Sequence, residues 1–186
     1  CWPCRVSDFP VVVTHNYDPA RGPFRNLCAL PAVEAERILD EIRASDRRTI
    51  KVDYLARRHA TEEWLYAECS RKLGVPPRRH PIYFFLGDFA DGLDPSRPNA
   101  IVLPLMSLPP AAITFTYPDS MASLPLGTRK YHVAERRPYH GQVFTLDEIR
   151  QVVETFGMPN RNGNSSTCFD RFIEVQLWDD APLRSR

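Results

Sequence analysis

Apolar and polar positions alternate along this chain in ways that mark out its elements before any motif does. Residues 9–14 contain Val11-Val12-Val13, a β-branched run that predicts a buried strand. The polar stretch 15–26, with Pro19, Gly22 and Pro23, reads as the loop behind it. A helix is expected from Pro31, because Ala35, Ile38, Leu39 and Ile42 recur at helical spacing, and it ends before Ser45-Asp46. A second helix is expected from Thr61, a capping residue with Glu62 and Glu63 in its first turn. Leu65, Cys69 and Leu73 line its side, and Gly74 with Pro76-Pro77 stops it.

Strands follow. Residues 81–86 are nearly all apolar or aromatic and read as a central strand, 100–105 as another, and 113–117 as a half-buried one. Residues 145–156 give the clearest helix. Thr145 and Glu148 form a T-x-x-E capping box, Leu146, Ile149, Val152, Val153 and Phe156 make the apolar stripe, and Gly157 and Pro159 end it. After a polar loop over 160–167, residues 172–178 predict a last strand. The pattern lacks the regular βαβ alternation of a doubly wound sheet. It predicts one α+β domain over 9–180 with a mixed or antiparallel sheet, about three main helices, and tails at 1–8 and 181–186.

Composition narrows the class. The chain has 186 residues, 43% of them hydrophobic, enough for one core and too few for two ordinary domains. With 24 Lys+Arg against 23 Asp+Glu, it lacks the basic excess of a dedicated nucleic-acid binder. The one locally basic stretch is 43–80, with ten Lys/Arg against five Asp/Glu. Eighteen prolines against eight glycines imply stiff connections, and Pro31, Pro81, Pro118, Pro138 and Pro159 all fall at element boundaries. No G-x-G-x-x-G, Walker A or G-x-S-x-G is present, which disfavours the common phosphate-cradling and hydrolase folds. No run reaches the roughly 18 to 20 apolar residues of a membrane span, and residues 1–5 carry no signal-peptide core. Five irregularly spaced cysteines do not form a disulfide framework, and the expected setting is reducing and cytoplasmic.

Candidate chemistry is sparse. Cys1-x-x-Cys4 has half the spacing of a zinc site but no second pair, so no metal site is nominated, and a nucleic-acid-associated protein with a small zinc element there stands as a rival expectation. His59 with Glu62 and Glu63, and His132 with Glu135, read as solvated charges, and Glu148 is occupied by its capping role. Four segments carry more promise. They are 14–17 directly off the first strand, Tyr83 in the aromatic strand, 114–121 running into an acidic turn, and 171–175 with a carboxylate on a strand. Alternation puts Phe172, Glu174, Gln176 and Trp178 on one face. The plain expectation is that this face meets water; the functional one is that it lines a cleft.

The order of those four segments resembles the ADP-ribosyltransferases, and among them the toxin group that modifies DNA bases. His15 after Val11-Val12-Val13 is similar to the first motif of that group, and Ile82-Tyr83-Phe84-Phe85 to its aromatic strand. Asp119 falls where its acidic turn would, and Arg171-Phe172-Ile173-Glu174-Val175 resembles the segment with the catalytic glutamate. The resemblance implies NAD consumed as a substrate and ADP-ribose passed to a nucleic-acid or protein target. Glu174 would stabilise the cation developing on the ribose, His15 would bond adenosine or ribose hydroxyls, and Tyr83 would stack on nicotinamide. Arg171 or Arg25 would pair with pyrophosphate, while Asp119, Arg57 and Arg58 would face the target. The chain departs from the group at Leu86-Gly87-Asp88, where an arginine is usual. It also reads like an uncharacterised bacterial family that supplies no activity. The alternative expectation is a non-catalytic ligand-binding or protein-interaction domain.

Overall fold

The strands owe their two unlike faces to alternation in sequence, and the pairing register brings like faces together. The computed structural model describes residues 8–46, 48–127, 136–159 and 170–184. In chain order it contains β1 (Val12–Tyr17), α1 (Ala32–Ala44), α2 (Tyr54–Leu73), β2 (Ile82–Leu86), β3 (Asn99–Pro104), β4 (Ile113–Thr116), α3 (Ser120–Gly127), α4 (Leu146–Phe156) and β5 (Glu174–Leu177). The sheet has the order β3-β1-β2-β5-β4, and every neighbouring pair is antiparallel. The last strand in sequence thus lies inside the sheet, between β2 and β4. The architecture is α+β, as expected, with four α-helices among the described residues.

One face of the sheet is apolar. Val13 pairs with Leu86 and with Leu103, and Phe84 pairs with Val175, which pairs with Phe115. These side chains form the main core with Leu146, Ile149 and Val153 of α4. Thr145 caps that helix in a complete capping box, and the Glu148 carboxylate also receives Lys72 Nζ at 2.8 Å. The opposite face carries Thr14, Tyr83, Phe85, Thr114, Thr116, Glu174 and Gln176. It lies under α2, whose Leu65 and Cys69 pack with Trp178 and Tyr83. Among the described residues no helix is long and apolar enough to cross a membrane.

Several expectations need correction. β1 runs on through His15, Asn16 and Tyr17, so these are strand residues rather than a loop. β4 is buried at all four positions rather than half-buried, because helices cover both sheet faces. α2 begins at Tyr54, seven residues before the expected Thr61, which makes Thr61 and Glu62 buried mid-helix residues. α3, with Pro125 inside it and no apolar periodicity, gave no helical signal. Leu183, assigned to a tail, packs in the main core. Cys1, Cys4, His132, Glu135, Cys168 and the 160–167 loop lie outside the described residues. Cys28 and Cys69 are free, buried thiols.

This layering predicts unequal costs for two substitutions. Phe115→Ala opens a cavity in the closed core and should destabilise the fold by about 3–5 kcal/mol. Thr145→Ala removes one half of a cap and should cost about 1 kcal/mol. Urea unfolding followed by circular dichroism checks both.

Candidate functional site

On the polar face the side chains form one directional hydrogen-bond chain that ends on Glu174. Trp178 Nε1 donates to Thr114 Oγ1 at 2.8 Å, and Thr114 Oγ1 donates to Gln176 Oε1 at 2.9 Å. The Gln176 amide donates in turn to Thr116 Oγ1 at 3.1 Å and to Glu174 Oε1 at 3.0 Å. The same carboxylate oxygen accepts Ser120 Oγ at 2.6 Å and the Ser120 backbone N–H at 3.4 Å. Ser120 opens α3, so the start of that helix is tied to the middle of β5. Asp119, just before it, caps the helix: its Oδ2 accepts the Ala122 N–H at 3.3 Å.

Glu174 is only 6% exposed, so the face it shares with Gln176 does not meet water, contrary to the plain expectation. Burial raises its pKa above the ordinary carboxylate value. Arg58 opposes the rise, the neighbouring Asp119 carboxyl adds to it, and the Ser120 and Gln176 hydrogen bonds oppose it. Asp119 is raised too, again chiefly by burial.

Arg58 comes from α2. Its guanidinium carbon lies over the Tyr83 ring, 3.9 Å from the centroid, and its Nε is 3.6 Å from Glu62 Oε1. Glu62 is 1% exposed and serves as a hub. Its Oε1 accepts Tyr83 Oη at 2.7 Å and Asn26 Nδ2 at 2.8 Å, while His80 Nδ1 lies 2.6 Å from Oε2. Sequence reading placed Glu62 on a solvated helix face. The missed signal is the row 55, 58, 62, 65, 69, which has the alternating three- and four-residue spacing of an inward stripe. Arg58 and Glu62 fill its second and third positions, and their polarity hides it.

The structure therefore brings Tyr83, Glu174, Asp119 and Arg58 to one region and leaves the other predicted residues outside it. His15 lies on the opposite, apolar face, with its ring centroid 5.5 Å from that of Phe84. Both its nitrogens are engaged: Phe24 N–H donates to Nε2 at 2.8 Å, so Nδ1 carries the proton and donates to the Tyr83 carbonyl at 2.8 Å. Burial lowers its pKa, which favours the neutral ring. Its work here is to hold the loop after β1, including Phe24 at φ +62°. Arg25 is exposed and donates to the Arg21 carbonyl, and Arg57 is exposed with Asp53 4.0 Å away. Arg171 is exposed ahead of β5. Among the described residues no group of three or more His, Cys, Asp or Glu side chains is arranged to hold a metal ion.

The raised pKa of Glu174 has a testable consequence. A carboxyl that binds its proton more tightly when folded stabilises the fold at low pH, and that contribution is lost as pH rises through the folded pKa. Glu174→Gln keeps an Oε1 acceptor for Ser120 and removes the charge. The variant should melt above the parent at about pH 8, and the difference should shrink toward zero near pH 4. Thermal melts across that range test the sign. Comparison of the chain with protein-family models, curated proteins and solved structures finds no match to any of them.

Proposed function

We propose that this chain transfers ADP-ribose from NAD to a nucleic-acid or protein target, with Glu174 as the carboxylate beside the reacting ribose. One observation carries the reading. Three carboxyl groups, Glu62, Glu174 and Asp119, gather around the single guanidinium of Arg58 on a buried sheet face. Such a surplus of carboxyl groups, once ionised, suits a centre where positive charge grows during reaction, and low local dielectric strengthens its effect. Breaking the bond from nicotinamide to ribose creates that charge on the sugar.

The roles follow from position. Glu174, held by Ser120 and Gln176, faces the developing cation once it has lost its proton. Arg58 keeps part of the cluster neutral and favours that ionised state. Tyr83 supports Arg58 with its ring and bonds Glu62 with its hydroxyl. His15 contributes at one remove, through the loop that it holds.

A second reading, a non-catalytic ligand-binding or protein-interaction domain, is favoured by a different observation. Glu62, His15 and the Glu174 Oε1 are already satisfied by protein donors. Two surface depressions also lie elsewhere, one along α1 at Ala32, Val33, Glu36 and Arg37 and one along α4 at Gln151 and Val152.

Incubation with NAD labelled in the adenylate, alongside DNA, RNA and protein acceptors, separates the two. The transferase reading predicts label on an acceptor and free nicotinamide. Glu174→Gln should lower the rate by about 100-fold or more while the far-ultraviolet circular dichroism is kept. The parent rate should rise with pH, along a limb above the ordinary carboxylate range. No release of nicotinamide by the parent, or equal release by the variant, leaves the interaction-domain reading.

A further inference from the structure

Arg58 has two claimants, and the geometry around Glu62 decides how it is shared. On one side is Glu62 itself, one helical turn along α2 at the i+4 position. On the other are Glu174 and Asp119, on which the Arg58 charge acts to favour the ionised forms. A guanidinium facing an unencumbered carboxylate closes to a short, two-pronged contact. Here that contact is not made. Glu62 Oε1 is taken by Tyr83 Oη at 2.7 Å and Asn26 Nδ2 at 2.8 Å, and Oε2 by His80 Nδ1 at 2.6 Å. Arg58 Nε stays 3.6 Å away, with its guanidinium carbon over the Tyr83 ring at 3.9 Å from the centroid.

We infer that Glu62 is a positioning residue: with its oxygens occupied by Tyr83, Asn26 and His80, it anchors Arg58 without capturing it, and so sets how much of that positive charge reaches Glu174. The groups facing Glu174 are Arg58 from α2, Tyr83 from β2, Thr116 from β4, Gln176 from its own strand, and Asp119 with Ser120 at the start of α3, while Glu62 and its partner His80 stand on the other side of Arg58. Among the groups facing Glu174, Arg58 alone carries a positive charge, so any change in its partnership reaches Glu174 directly. This inference rests on the reading of Glu174 as the reacting carboxylate for its kinetic readout, though not for its titration readout.

The experiment follows nicotinamide release from NAD against pH in the parent, Glu62→Gln, Arg58→Met and the double variant, with folding checked by thermal melts. Loss of the Glu62 charge gives Arg58 wholly to Glu174 and Asp119, so Glu62→Gln should move the rising limb down by about half a pH unit or more. Arg58→Met should move it up. Adding Glu62→Gln to Arg58→Met should then leave the limb nearly where Arg58→Met put it, since the effect acts through the arginine. Where Glu62→Gln does not fold, Glu62→Asp withdraws the carboxylate by one methylene and should shift the limb in the same direction. A lower rate with an unmoved limb would make Glu62 a purely structural residue and overturn the inference. Where the parent releases no nicotinamide at any pH, the transferase reading falls by itself. The shift is then read from carbon-13 titration of labelled glutamate carboxyls in the same proteins, and an unmoved Glu174 signal there overturns the inference independently.

Discussion

One constraint organises this molecule: a sheet face built of polar side chains is buried and must satisfy itself. Thr114, Thr116, Glu174 and Gln176 lie inward on neighbouring central and edge strands, and α2 and the start of α3 close over them. Each polar group left without a partner there would cost on the order of a few kcal/mol. The outcome is the directional chain from Trp178 to Glu174, in which every link fixes the orientation of the next. The same demand ties α3 to β5 through Ser120 and docks α2 through Glu62.

Charge in that layer is more delicate than hydrogen bonding. A buried carboxylate is costly unless paired, and removing one partner of a buried pair costs more than the pair itself contributes. Around Arg58 there are more carboxyl groups than one guanidinium can neutralise, and burial raises the pKa of both Glu174 and Asp119. A layer that served stability alone would do better with apolar residues of similar size. Its ionisable groups are the ground of the proposed transferase reading.

The basic stretch over 43–80 looks different once its partners are known. Arg43 meets Asp40, Arg57 meets Asp53, Arg71 meets Glu68, Lys72 meets Glu148, Arg78 meets Asp180, and Arg79 meets Glu63. Much of the local positive charge is thus spent within the molecule, which weakens the case for a phosphate-tracking surface there. Net charge near zero and this internal pairing express the same balance.

Periodicity in sequence determined the α+β class, the apolar face of the sheet, the α4 stripe and its capping box, because those signals are local and repeat with the geometry of the element. It also placed Glu174 on a strand, on the same face as Gln176 and Trp178. What tertiary structure alone decided is which face of each strand is covered and by what. Alternation shows that Glu174 and His15 belong to definite faces, yet it cannot say that the two faces are opposite, since that depends on pairing register between strands distant in sequence. It could not reveal Glu62 either. Arg58 and Glu62 interrupt an apolar stripe with charges that read as solvent-facing, and they lie inward only because a sheet with a polar face, completed by the last strand of the chain, is there to receive them.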